Sequence, residues 1–140
     1  MLGKTHLGGG ILASLLFCGG DVVSSLFVVV GSILPDIDHP GSMVGKNVPL
    51  IPKLLNHRGL THSISFCVMM SLLNAWLGIG VLVHIVMDMM TKNGVELFYP
   101  YKKRIRFPLA KYVVTNGNFE KVLFYLCYLC IAYLLYIRYV

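Results

Sequence analysis

Three long apolar runs dominate the chain: Leu7 to Leu34, Ile64 to Met90, and Val122 to Ile137. The first two hold about 27 residues each. As single helices at ~1.5 Å per residue they would reach about 40 Å, more than the ~30 Å of a hydrocarbon core. Each also weakens near its middle. Gly19-Gly20-Asp21 suits a turn and disfavours a helix interior, and the stretch NAWLGIG from Asn74 to Gly80 interrupts the leucines with a polar residue and two glycines. Both runs are therefore read as helical hairpins, with helices near 7–18, 22–35, 62–74 and 77–91. Helices this short need a thinned bilayer or a partly embedded bundle. A fifth helix starts near Asn118 or Phe119 and runs to Arg138.

The segments between these runs differ in kind. Residues 35–60 hold four of the six prolines and several glycines, which predicts a long loop without regular structure, the kind that usually carries function. From Gly94 to Asn118 the chain is polar, and YPYKKRIRFPL alternates cationic and aromatic residues as a surface hairpin or extended strand would. The pattern predicts an all-α fold: a single domain over residues 1–140, built as a membrane-embedded bundle of about five helices.

Composition strengthens the membrane reading. With 56% apolar and 13% charged residues in 140, the chain is too oily for an ordinary soluble domain. Met1 to Thr5 supplies one lysine and no evident cleavage site, so no cleavable leader is expected. The net charge of +6 acts mainly as an orientation signal. Lys4, Lys46, Lys53, Arg58, Lys92, Lys102, Lys103, Arg104, Arg106, Lys111 and Lys121 fall on one side of the proposed bundle, and Arg138 on the other. The positive-inside rule makes the first side cytoplasmic, and its cations attract anionic headgroups at roughly 1 kcal/mol each. Nucleic acid is not expected as a partner, because the basic run 102–111 is short and lies next to the bilayer. Cys18, Cys67, Cys127 and Cys130 all lie in apolar runs. The CxxC pair at 127 and 130 has no second pair to complete a zinc site, so the four are read as small buried hydrophobes.

The candidate chemistry lies in the histidines. His6 is expected to open the first helix, His39 to follow the second, His57 and His62 to precede or open the third, and His84 to lie in the last turns of the fourth. In an up-down arrangement these four helix ends share one membrane face. Asp36 and Asp38 belong to the same face, and Asp88, four residues after His84, shares its helical face. Ionisable groups at membrane depth are costly and pair with each other or with an ion. Imidazole and carboxylate ligands without thiolate suit a divalent metal, zinc above all, with manganese or iron as alternatives, in one or two ions. Arg58, beside His57 and ahead of the third helix, could grip phosphate oxygens with its planar fork, and Thr61 is placed to cap that helix.

Three motifs, LPDIDHPGS at 34–42, HRGLTHS at 57–63 and HIVMDMMTKNGVELFYP at 84–100, with His6 upstream, resemble the YdjM family of inner-membrane proteins, described as LexA-regulated, metal-dependent hydrolases. The resemblance covers roughly residues 5 to 120. It implies a membrane-bound hydrolase whose metal-site candidates are His6, Asp36, Asp38, His57, His62, His84 and Asp88, with Arg58 beside them. A looser similarity to zinc-dependent phospholipases C suggests phosphoester substrates. The expected activity is hydrolysis of a phosphoester in an anionic lipid or lipid-linked phosphate, with Arg58, Asp38 and Asp88 as catalytic candidates. Two rivals are a non-catalytic protein whose ions staple short helices, and a divalent-metal transporter. The second would place its ligands near mid-membrane rather than at helix ends.

Overall fold

The computed structural model describes residues 1–140, the side chain of Tyr139 excepted. Its helices are α1 (Gly3–Phe17), α2 (Val22–Ile33), the single turn α3 (Ile51–Leu54), α4 (Ile64–Leu73), α5 (Ala75–Met89) and α6 (Asn118–Tyr139). The fold class is all-α, as the pattern predicts.

Both reversals fall where the sequence weakens. Gly19 and Gly20 take positive φ values of 57° and 99°, which an L side chain rarely adopts, and Asp21 then caps α2 by accepting from the Ser24 amide at 2.8 Å. The second reversal is tighter than expected. Asn74 alone separates α4 from α5, and its Oδ1 accepts from the Trp76 and Leu77 amides at 2.9 and 3.2 Å. Gly78 and Gly80 take no part in the turn; both lie inside α5.

Those glycines serve packing instead. α5 lies against α2, α4 and α1. Where it crosses α2, a Cβ on Gly31 would stand 2.3 Å from the Leu77 carbonyl oxygen, and one on Gly80 would stand 2.2 Å from that of Val28. The two backbones therefore touch, as small residues permit at helix crossings in membranes. Val28, Val81 and Ile85 are fully buried around this crossing. α6 packs on α1 and runs parallel to it. Near its start Glu120 accepts from the Leu2 amide and the Thr5 hydroxyl, and near its end Arg138 donates to the Gly19 carbonyl at 2.6 Å.

Two expectations need correction. The loop 35–60 is not structureless: it holds 3-10 turns at Leu34–Asp38 and Gly45–Asn47 as well as α3. Pro35 opens the first turn without losing a hydrogen bond, because early helix amides have no intrahelical acceptor anyway. The segment 94–118 forms no strand among the described residues. It makes a single antiparallel bridge, Val95 to Ile105, and then the 3-10 turn Pro108–Tyr112.

By length and composition, α6 is among the described residues the one helix able to cross a membrane alone. The hairpin helices are shorter, but their tips are oily. Leu16, Phe17, Val22 and Val23 on the first hairpin and Leu72 and Leu73 on the second are all exposed. The end of the bundle opposite the histidines thus presents apolar side chains outward.

Candidate metal centre

The other end gathers ionisable groups in the interior. α1 begins at Gly3, earlier than expected, so His6 lies within its first turns rather than opening it. The turn Leu34–Asp38 supplies Asp36 and Asp38, residues 57–62 supply His57, Arg58, Thr61 and His62, and the last turns of α5 supply His84 and Asp88. His6, His62 and His84 are fully buried, and Asp36, Asp38, Arg58 and Asp88 nearly so. Arg58 sits at φ 68°, an uncommon value for a non-glycine residue. That twist lets its amide donate to Asp38 at 3.1 Å while its carbonyl accepts from Glu96 at 3.0 Å.

Hydrogen bonds fix how two of the imidazoles present themselves. The Ser32 carbonyl lies 2.7 Å from His84 Nδ1 and can only accept, so that nitrogen carries the proton. His62 Nδ1 lies 3.2 Å from an Asp38 carboxylate oxygen and takes the same role. Both Nε2 lone pairs are thereby turned inward, and they face each other at 3.1 Å. Two lone pairs repel at that separation unless a metal ion or a shared proton lies between them. Outer carbonyl and carboxylate partners of this kind orient metal-binding histidines.

Carboxylates close the centre. The Asp36 carboxylate stands 3.7 Å from His84 Nε2 and 4.0 Å from His62 Nε2. Asp88 stands 3.3 Å from His6 Nε2, 3.5 Å from His62 Nε2 and 3.2 Å from the Arg58 guanidinium, and it also meets the Met1 ammonium. His6 stacks on His84 with ring centroids 3.7 Å apart. Both ring nitrogens of His6 and one Asp88 oxygen are buried without a hydrogen-bond partner; the His6–Asp88 approach is close enough for an ion pair but poorly directed for a hydrogen bond. Buried orphans are uncommon and costly. The residues form three overlapping sets with ligand atoms within 4.8 Å of one another: His6, Asp36 and His84; Asp36, His57 and His62; and His62, His84 and Asp88. An all-nitrogen-and-oxygen set of this kind fits a divalent metal ion.

Asp38 and Arg58 occupy different positions from those expected. Asp38 accepts from His57 Nδ1 at 2.7 Å, from the Thr61 hydroxyl, from His62 and from the Arg58 amide, so both its oxygens are engaged. Burial pushes its pKa up, but these donors outweigh burial and hold the carboxyl well below the usual carboxylate range. It acts on the backs of the histidines. The Arg58 guanidinium donates to Thr91 Oγ1 at 3.0 Å, to the Gly94 carbonyl at 3.2 Å and to Asp88. Both terminal nitrogens of its fork thus meet protein groups. Thr61 does not cap the following helix. Ser63 does, accepting from the Phe66 amide, and the first amide of α4, from Ile64, donates to the Leu97 carbonyl at 2.9 Å, so both amides are taken by protein groups.

His39 is exposed and packs edge-on against His57 with centroids 4.7 Å apart, at the rim of the cluster. Beside it a cavity of about 310 Å3 opens, lined by Asp36, His39, Ser42, His57, Arg58, Asn93 and Thr115 among others. Neither the Ser32 carbonyl nor the Gly94 carbonyl can be singled out in the sequence, because every residue has one. Thr91, within hydrogen-bonding distance of Arg58, follows Asp88 by three residues, a spacing that marks a shared helical face.

The comparisons with known proteins agree with the motifs. The family described as "YdjM inner membrane protein" matches residues 1–139. The uncharacterized protein YvsG of Bacillus subtilis is 33% identical over 141 residues, covering 88% of this chain and 86% of YvsG. The inner membrane protein YdjM of Escherichia coli is 33% identical over 109 residues, covering 64% of this chain and 55% of that protein, so the chain spans about half the length of that relative. No solved structure matches. With the family matched over nearly the whole chain and the three His/Asp motifs gathered into one buried cluster, the chain belongs to the YdjM family of inner membrane proteins.

Proposed function

We propose that this protein is a membrane-bound, metal-dependent hydrolase that cleaves a phosphoester, in a lipid or lipid-linked phosphate, at the cytoplasmic face of the membrane. The observation that carries this reading is the inward-facing Nε2 pair of His62 and His84, set among Asp36, Asp88 and His6 and reached from a cavity through Asp36. These residues would hold one or two divalent ions, zinc with manganese or iron as alternatives. Such an ion supplies Lewis acidity toward a phosphoryl oxygen and makes water nucleophilic near neutral pH.

The chain's own residues then have separate tasks. His6, His62, His84, Asp36 and Asp88 hold charge and geometry at the centre. Asp38 fixes the rings of His57 and His62, and the Ser32 carbonyl fixes that of His84. Arg58 orients Asp88 and also lines the cavity that a substrate would enter. His57, about a third exposed in its side chain, and Asn93 line the cavity, where they can meet the substrate. Basic residues on this face favour an anionic substrate, and the exposed apolar hairpin tips favour a bundle sunk into the bilayer from that face.

Purified protein loaded with zinc or manganese is expected to release product from a phospholipid, a lipid diphosphate or a generic phosphodiester, and to stop when chelated. Full metal content with no cleavage of any of the three would instead support a structural ion, a reading favoured by the complete burial of His6, His62 and His84.

A further inference from the structure

On the other side of α5 from the metal centre lies a groove of about 490 Å3 with an almost wholly apolar lining from Val86, Met90, Phe107, Leu109, Val113 and Phe119. Val86 and Met90 are each two residues from His84 or Asp88, which puts them on the opposite helical face. The groove therefore belongs to the outside of the bundle and is separate from the centre. We propose that it is a binding site for an anionic phospholipid, one acyl chain lying in the groove and the headgroup held by Arg106 and Lys111 at its rim.

Charge and shape both point to this occupant. Between Glu96 and Glu120 the chain carries Lys102, Lys103, Arg104, Arg106 and Lys111 and no carboxylate. Arg106 and Lys111 are exposed and bracket the lining residues Phe107, Leu109 and Ala110 in sequence. The Arg106 guanidinium donates to the Lys92 carbonyl, two residues beyond the lining residue Met90, and the Lys111 ammonium lies over the Tyr112 ring, 4.8 Å from its centroid. Leu109 and Tyr112 are among the most exposed large side chains of the protein. An apolar trough under a cationic edge matches the two ends of an anionic lipid. A second copy of this chain fits poorly, because it would bring like charges together across the contact.

The site bears on the metal centre through one short strap. Val113 lines the groove and Thr115 lines the cavity beside Asp36, while the Val113 carbonyl accepts from the Lys92 amide at 2.8 Å. A lipid bound on one side braces the wall of the other. The lipid site itself stands whether or not the centre hydrolyses anything.

The test uses the full chain with its single tryptophan removed (Trp76→Phe) and an indole introduced in the groove (Phe107→Trp), reconstituted in phosphatidylcholine bilayers. Phosphatidylglycerol or phosphatidylcholine with dibrominated acyl chains is titrated in, and quenching gives the relative affinity of the groove for each. Phosphatidylglycerol is expected to quench at the lower mole fraction. Its advantage should shrink by about five-fold for each charge removed in Arg106→Gln and Lys111→Gln, and Val86→Phe, a change at an exposed position, should weaken quenching by both lipids. Equal quenching by the two lipids, or an advantage that survives the double substitution, overturns the proposal. So does an absence of quenching, which would mean that another protein surface covers the groove. Metal content measured on the same samples reports separately on the centre.

Discussion

α2 and α5 meet twice, and the two meetings are built on opposite principles. At the crossing of Gly31 and Gly80 the backbones touch, every nearby group is apolar or already hydrogen-bonded, and Val28 and Val81 fill the flanks without exposure. One turn further along, the same helices deliver the Ser32 carbonyl and His84 to a cluster of rings and carboxylates that is not satisfied by its own members. The crossing is complete as folded, whereas the cluster leaves buried nitrogens and a carboxylate oxygen without hydrogen-bond partners and could hold a metal ion. The crossing sets the distance between helices, and that distance decides whether the cluster's atoms converge.

Asp88→Ala should have the largest effect, because it leaves the Arg58 guanidinium and the Met1 ammonium buried without their shared carboxylate. A loss of about 3–5 kcal/mol is expected from removing one partner of a buried pair, together with loss of bound metal. Thermal unfolding in detergent and metal analysis check the two effects. Unchanged metal content in both Asp88→Ala and His84→Ala would remove these residues from the centre.

Gly31→Ala should cost less, about 1–3 kcal/mol, since the new methyl would press on the Leu77 carbonyl and the helices would have to separate. The two variants should then part company on adding zinc. Metal should raise the unfolding temperature of the Gly31 variant and leave that of the Asp88 variant unmoved. Equal rescue of both would break the distinction drawn between crossing and cluster.

Asp38→Asn should be milder again. It keeps the shape but weakens the hold on His57 and His62, so metal affinity is expected to fall by about 10–100-fold, as for other groups that orient a ligand from behind. Competition with a chromogenic chelator measures this directly, and an unchanged affinity would show that Asp38 does not orient the ligands. The smallest change expected is in Asn74→Ala, which removes a helix cap from the second reversal at a cost of about 1 kcal/mol and should leave metal affinity untouched.

Much of this arrangement is legible in the sequence. The reversal at Gly19-Gly20 can be read from glycine's local preference and the second can be placed within Asn74 to Gly80, and once both hairpins are drawn the histidines must share a face. The spacing of His84 and Asp88 needs no tertiary information either, since helical period alone aligns them. The roles of Asp38 and Arg58 could not be read this way. An aspartate beside histidines looks the same in a sequence whether it faces the ion or the backs of the rings.

What the sequence determined by itself was the five long helices, the approximate places of the two reversals and the end of the bundle where the ionisable groups collect, because these follow from local preference and periodicity. The tertiary structure alone decided which carboxylate faces inward, that Arg58 is held by Asp88, Thr91 and Gly94, and that Gly78 and Gly80 serve packing rather than turning. Those outcomes depend on how closely α2 and α5 approach and on the twist at Arg58, distances and directions set by packing between segments far apart in the chain.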